Sequence, residues 1–322
     1  MLSLSIIKFE EETFTVLKKY SYLFLLYLLT FNVTTYAASS KNVVQPKVPI
    51  QTSLIIDGAT GKVLHAKNAK HKIYPASLTK VMTLYLLFES LEAGRINLNH
   101  KFHVSKHATQ ALPSKLYLKQ GEKISVKDSI HALTIKSAND VARVVGENIA
   151  GSEAKFANLM TLKARKLGMS NTTFTNASGW HDPKQMTTAV DLAKLTMAIR
   201  RDFPQYYHFF AQTSFNFKGK TINGHNRVTA TYPGAEGLKT GYHIPAGCNL
   251  ITTAKRGNKI LIAVVTGRKS AAIRDRKMVE LLDKHFGVIH PTIKKATIVN
   301  NKNKKKTINK KKQKSIKLAS KG

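Results

Sequence analysis

The chain of 322 residues has one cysteine, Cys248. No internal disulfide can staple it, so the fold must rely on its hydrophobic core. Prolines number nine, and the hydrophobic fraction of 43% is that of an ordinary globular protein. Acid is scarce. Against 52 Lys and Arg stand 18 Asp and Glu, a formal charge of +34. With one tryptophan, no aromatic stacking platform and no nucleic-acid motif, the basicity does not read as nucleic-acid binding. A body this basic expects anionic company of another kind.

The charge is unevenly placed. Residues 1–37 cancel to zero, and twelve lysines follow Pro291 without a single acid, which leaves +22 on the body. Residues 291–322 hold too few large apolar side chains to offset their ordering entropy, and they read as a disordered basic tail. At the other end Lys18 and Lys19 precede an apolar run from Tyr20 to Val33 and small residues at Ala37 and Ala38. That is the layout of a secretory signal, with cleavage expected after Ala37. An uncleaved membrane anchor is the alternative. Either reading places the body outside the cytoplasm, periplasmic or associated with the cell envelope. Anionic lipid or wall polymer is then the natural partner of the tail.

Between these ends, residues 45–290 read as one α+β domain. Thr52–Asp57 and Lys62–Ala66 are strands joined by a Gly58-Ala59-Thr60-Gly61 turn. An apolar-periodic helix spans Leu78–Leu91, with Pro75 at its entry. Helical patterns run from Ser125 to Leu167 and from Thr188 to Arg200. Strand character returns at Gly234–Thr240, Asn249–Lys255 and Lys259–Thr266, and a helix over Ala272–Phe286 stops at Gly287. Strands at both ends and helices between them predict an antiparallel sheet built from both termini, its first and last strands paired, beside a helical insertion.

Three short stretches carry chemistry. In Ser77-Leu78-Thr79-Lys80 a hydroxyl and an amine stand three residues apart, one turn along a helix. Serine is a poor nucleophile until a base takes its proton, and lysine is such a base only when burial or a neighbouring cation lowers its pKa. The apolar helix supplies burial, and Lys239 is the candidate cation. In Ser137-Ala138-Asn139 a second hydroxyl and an amide could relay a proton and hold substrate backbone. In Lys239-Thr240-Gly241 a cation and a hydroxyl suit a carboxylate, and the glycine permits close approach of a backbone. Each stretch alone is most simply a helix cap or a guarded sheet edge. Cys248 reads as a small packing residue.

Jointly, and with their flanks, they carry a resemblance. Tyr74 to Thr83 (YPASLTKVMT), Ile135 to Ala142 (IKSANDVA) and Gly237 to Tyr242 (GLKTGY) resemble the D-alanyl-D-alanine carboxypeptidases, the low-molecular-mass penicillin-binding proteins, over roughly Ser53 to Gly287. Asn176-Ala177-Ser178-Gly179 and Thr187 to Ala193 also look like family stretches around the site.

The resemblance implies a serine β-lactamase-like fold, with Ser77 as nucleophile on the carbonyl between two terminal D-alanines and Lys80 as its base. It implies that Ser137 and Asn139 handle the leaving D-alanine, and that Lys239 and Thr240, with Gly241, hold its carboxylate. Backbone N–H groups of Ser77 and Tyr242 would form the oxyanion hole. Arg274, in preference to Arg268, would anchor the carboxylate. Neither metal nor cofactor is implied. The implied partners are peptidoglycan stem peptides, with β-lactams as acylating inhibitors. A β-lactamase of the glutamate-dependent kind is disfavoured, because no glutamate lies between Glu153 and Glu236. A D,D-endopeptidase, or a non-catalytic cationic wall-binding protein, remains the alternative. The family's second C-terminal β-domain is not expected in the residues after Gly287.

Overall fold

The computed structural model describes residues 49–288. The expected signal and the basic tail lie outside the described residues. In chain order the elements are β1 (Thr52–Asp57), β2 (Val63–Lys67), a 3-10 turn (Ala76–Thr79), α1 (Lys80–Glu92), β3 (Lys101–His103), α2 (Lys106–Thr109) and β4 (Lys123–Ser125). Next come α3 (Val126–His131), a π-helical turn (Ala132–Lys136), α4 (Asn139–Ala150), α5 (Glu153–Lys166) and α6 (Ala189–Asp202). A second 3-10 segment (Pro204–Ala211), β5 (Ser214–Phe217), β6 (Lys220–Asn223) and α7 (Arg227–Thr231) lead to β7 (Ala235–His243), β8 (Gly247–Arg256), β9 (Lys259–Arg268) and α8 (Ala271–Phe286).

The main sheet has the order β2-β1-β9-β8-β7, with every pair antiparallel. The first strand therefore pairs with the last, Thr52 opposite Thr266, as expected from the sequence. Side chains of β1 and β9 alternate between its two faces. Leu54, Ile56, Ile262 and Val264 point into the cluster shared with the helical insertion. Ile55, Leu261, Ala263 and Val265 point the other way, onto Met278, Leu281 and Leu282 of α8. That period of two with both faces covered makes β9 an almost unbroken apolar run. Each large side chain so buried contributes roughly 1.5–3 kcal/mol.

Helix α1 is buried on all sides, from Val81 through Phe88. A helix apolar all round belongs at the centre of a fold, and α1 begins where the Ser77 segment ends. Ser270 caps α8, its Oγ accepting from the Ile273 amide at 3.3 Å, and Gly287 closes it at φ 76°. Among the described residues no helix is long and apolar enough to cross a membrane.

Three details differ from the sequence reading. The helix expected over Leu78–Leu91 is preceded by a 3-10 turn over Ala76–Thr79 and becomes α-helical only at Lys80. The helical stretch over Ser125–Leu167 is broken at Ser137, which ends the π turn at φ 61°. The strand expected to stop at Thr240 continues to His243, so Lys239-Thr240-Gly241 lies within β7 at the sheet edge.

Candidate active site

The 3-10 turn is what brings Ser77 to Lys80. With three residues per turn, side chains at i and i+3 eclipse, and Lys80 Nζ lies 3.1 Å from Ser77 Oγ. Ser77 is half-buried and Lys80 fully buried. The Lys80 amine also reaches Asn139 Oδ1 at 2.6 Å and the Ser178 carbonyl oxygen at 2.5 Å. Burial, and secondarily the nearby Lys239 cation, holds its pKa well below that of an ordinary lysine, although Asp140 and Glu153 pull the other way. A neutral amine has two protons and one lone pair. Two acceptors, Asn139 and Ser178, occupy the protons, and the lone pair is left for the Ser77 hydroxyl.

Asn139 opens α4 and is held from its far side. Its Nδ2 donates to the Leu112 carbonyl at 2.8 Å, and its backbone N–H to the Ser114 carbonyl at 2.7 Å. Asp140, fully buried, accepts from the amides of Leu116 and Leu118. The segment 112–118 is thereby folded down onto the second motif. Ser137, left-handed at the break before α4, carries an Oγ that is buried with no hydrogen-bond partner among the described residues. A buried hydroxyl left unpaired costs free energy until something pairs with it. It sits at the wall of the main cavity.

From the sheet edge come Lys239 and Thr240, both buried. Lys239 Nζ donates to the Thr240 carbonyl at 3.0 Å. Burial and the Arg274 guanidinium push Lys239 down to about 7. Thr240 Oγ1 lies 2.8 Å from His225 Nε2. Two glycines let backbones close on the nucleophile. A Cβ on Gly241 would stand 3.1 Å from the Ser77 backbone nitrogen, and one on Gly179 only 1.9 Å from the Ala76 carbonyl oxygen. Asn249 ties the same segment to the sheet: its Nδ2 donates to the carbonyls of Tyr74 and Pro75, and its Oδ1 accepts from the Gly267 amide at 2.9 Å.

These elements enclose a cavity of about 1000 Å³ whose wall includes Ser77, Ser137, Asn139, Thr240, Tyr242 and Arg274. Lys80 and Lys239 are bonded to residues of that wall, Lys80 to Ser77 and Asn139 and Lys239 to the Thr240 carbonyl. Arg274 is buried, with Nε and Nη2 donating to Asp275 Oδ1 at 2.9 and 2.7 Å. Arg268 instead turns to β1, bonding Gln51 and the Thr52 carbonyl. Cys248 is buried opposite Tyr242 on the neighbouring strand, and burial raises its thiol pKa. No group of three or more His, Cys, Asp or Glu residues suited to a metal occurs among the described residues. Sequence reasoning missed the Ser178 carbonyl, the grip of Asp140 and the His225 contact. The Asn176 to Gly179 stretch was the available signal for the first. There Asn176 Oδ1 accepts from the amides of Ser178 and Gly179, shaping the turn that aims the carbonyl.

Comparison with known proteins gives consistent findings. The family model described as D-alanyl-D-alanine carboxypeptidase matches residues 39–270. D-alanyl-D-alanine carboxypeptidase DacC of Escherichia coli (strain K12) is 36% identical over 283 residues, 85% of this chain and 70% of that one. DacF of Bacillus subtilis (strain 168) is 33% identical over 90% of this chain and 76% of its own length. Among solved structures, penicillin-binding protein 5 of Haemophilus influenzae superposes with TM-score 0.71 at 30% identity, covering 76% of this chain and 73% of that one. Penicillin-binding protein D2 of Listeria monocytogenes, in its ampicillin-bound form, gives 0.67 at 29% identity, covering 73% and 96%.

Proposed function

Because this chain belongs to the D-alanyl-D-alanine carboxypeptidase family, we propose that Ser77 is the residue through which it removes the terminal D-alanine of peptidoglycan pentapeptides. The chain is a D,D-carboxypeptidase, a serine hydrolase of the penicillin-binding kind. The observation that carries the residue assignment is the buried Lys80 amine, 3.1 Å from Ser77 Oγ with both its protons otherwise engaged.

Lys80 takes the Ser77 proton as Oγ attacks the carbonyl carbon between the two D-alanines. The backbone N–H groups of Ser77 and Tyr242 hold the oxyanion. The approach of Gly241 to the Ser77 nitrogen, which sets β7 against the nucleophile turn, supports that pairing. Lys239, Thr240 and Arg274 hold the terminal carboxylate. Ser137, with its unpaired Oγ, passes the proton on to the leaving amine, the C–N bond breaks and D-alanine departs. Water then cleaves the Ser77 ester. A β-lactam enters by the same attack, and its ring-opened product stays attached as an ester at Ser77.

The test is D-alanine release from a pentapeptide ending in D-Ala-D-Ala, wild type against Ser77→Ala, with labelling by a fluorescent penicillin in parallel. Release and labelling that both vanish in a folded variant are expected. Retained release in Ser77→Ala would overturn the assignment. Cleavage of cross-linked muropeptides alone would move the reading to D,D-endopeptidase, and no cleavage at all to a cationic wall-binding protein.

The proposed domain organisation is a signal over residues 1–37, the catalytic domain over 45–290 and a basic tether over 291–322. It places the enzyme outside the cytoplasm, in the periplasm or cell envelope. The tail's twelve lysines support attraction to anionic lipid or wall polymer. Deleting the residues after Pro291 without loss of envelope association would defeat the tether, and a mature N-terminus other than Ala38 would defeat the cleavage site.

A further inference from the structure

Thr240 has a partner that the three motifs do not include. Its Oγ1 lies 2.8 Å from His225 Nε2. The His225 ring faces the main cavity on one side. It also lines a smaller pocket of about 100 Å³ behind Thr240, with Thr134, Gln212 and Thr229. Thr229 Oγ1 is buried with no hydrogen-bond partner among the described residues. The imidazole is thus set between the carboxylate side of the cavity and a small recess of mixed polar and apolar lining.

A threonine hydroxyl has one proton and two lone pairs. If that proton went to His225, Thr240 would offer a carboxylate only lone pairs, and like would face like. If His225 carries its proton on Nε2 and donates it, Thr240 accepts and keeps its own proton free. Only the second arrangement lets Thr240 bind an anion. Desolvation at the cavity wall, with Lys239 and Arg274 close by, pushes the imidazole down to about 4. The ring is therefore neutral at working pH, and the choice between the two arrangements is a choice of tautomer.

We propose that His225 is a positioning residue, donating from Nε2 to Thr240 Oγ1 and so turning the Thr240 hydroxyl proton toward the terminal carboxylate of the substrate. The inference rests on the reading of Lys239 and Thr240 as the carboxylate clamp.

The experiment compares two acyl donors, a peptide ending in D-Ala-D-Ala with a free carboxylate and the same peptide as its C-terminal amide, in wild type, His225→Ala and His225→Gln. Thermal unfolding verifies that each variant is folded. In His225→Ala, kcat/KM for the carboxylate donor is expected to fall about tenfold, the worth of one hydrogen bond to a charged group. The amide donor should change by less than about twofold on the same reasoning. His225→Gln, whose amide N–H can also donate to Thr240, should recover most of the loss. An equal fall on both donors, no fall on either, or a Gln variant no better than Ala overturns the proposal. Wild type indifferent to the terminal carboxylate overturns the clamp itself, whatever the histidine variants do.

Discussion

Gly179 is the position where one added methyl group tests how tightly the nucleophile is held. It sits at φ +83°, and a Cβ built there would lie 1.9 Å from the Ala76 carbonyl oxygen, 2.5 Å from its carbon and 3.0 Å from the Ser77 nitrogen. These are backbone atoms of the turn that carries Ser77, so no side chain can swing aside. Reaching ordinary contact requires the turn and the 176–180 loop to part by more than about 1 Å, and a misplacement of that size costs about 100-fold in rate. The left-handed backbone adds roughly 1–2 kcal/mol for an L-residue, and overpacking a further 1–3 kcal/mol or so. Gly179→Ala is therefore expected to be acylated by a fluorescent penicillin about 100 times more slowly, and to unfold at lower urea. Two further glycines calibrate the effect. Gly121 has φ +81° but open space around it, so Gly121→Ala should lose stability and keep its acylation rate. Gly241→Ala, with contacts of 3.0–3.2 Å, should fall between. Wild-type acylation in Gly179→Ala, or an equal slowing in Gly121→Ala, would refute the reasoning.

Lys239 gives a pH prediction. Its ammonium is a cation below about 7 and neutral above it, so kcat/KM for a carboxylate-ended peptide should decline as pH rises through that value. Lys239→Arg, which keeps its charge, should flatten the decline, and an unchanged alkaline limb in that variant would contradict the assignment. Asp140→Asn replaces an acceptor of the Leu116 and Leu118 amides with a group that also donates. It should cost roughly 3 kcal/mol in urea unfolding, and it should raise KM because the segment it releases also braces Asn139. Asn249→Ala frees the Tyr74 and Pro75 carbonyls and should destabilise by about 2 kcal/mol, readable as a lower Tm; an unshifted Tm would show that the clamp is idle.

The sheet was legible because its information is local. Alternating Leu54-Ile55-Ile56 and Leu261 through Val265 declare two buried faces, and Gly58 to Gly61 declares the turn between β1 and β2. The pairing of β1 with β9 followed from strand patterns read at the two ends of the body. The three motifs were legible because each is contiguous. What escaped notice were joints between distant segments. Lys80 with the Ser178 carbonyl, 98 residues apart, leaves no mark on either stretch, since any residue has a carbonyl. His225 is one histidine among twelve until the fold sets it beside Thr240. The small two-stranded sheets β3–β4 and β5–β6 have strands of three and four residues, too short for a period of two to stand out. The break at Ser137 was partly legible, since a serine and an asparagine there suit a helix cap, whereas the π turn before it has no sequence signature of its own.

Thr52 and Thr266, hydrogen-bonded to each other in the finished sheet, are separated by 214 positions. During synthesis at about 5–20 residues per second, β1 waits on the order of 10–40 s for its partner strand to exist. The reaction centre shares that delay, since Ser77 and Lys80 emerge early while Lys239, Thr240 and Arg274 emerge late. Contacts this remote make for slow folding. The emerging chain thus has neither a complete central sheet nor a complete catalytic pocket until nearly all of it has been made. Hydrolytic activity therefore switches on only when the last strand docks.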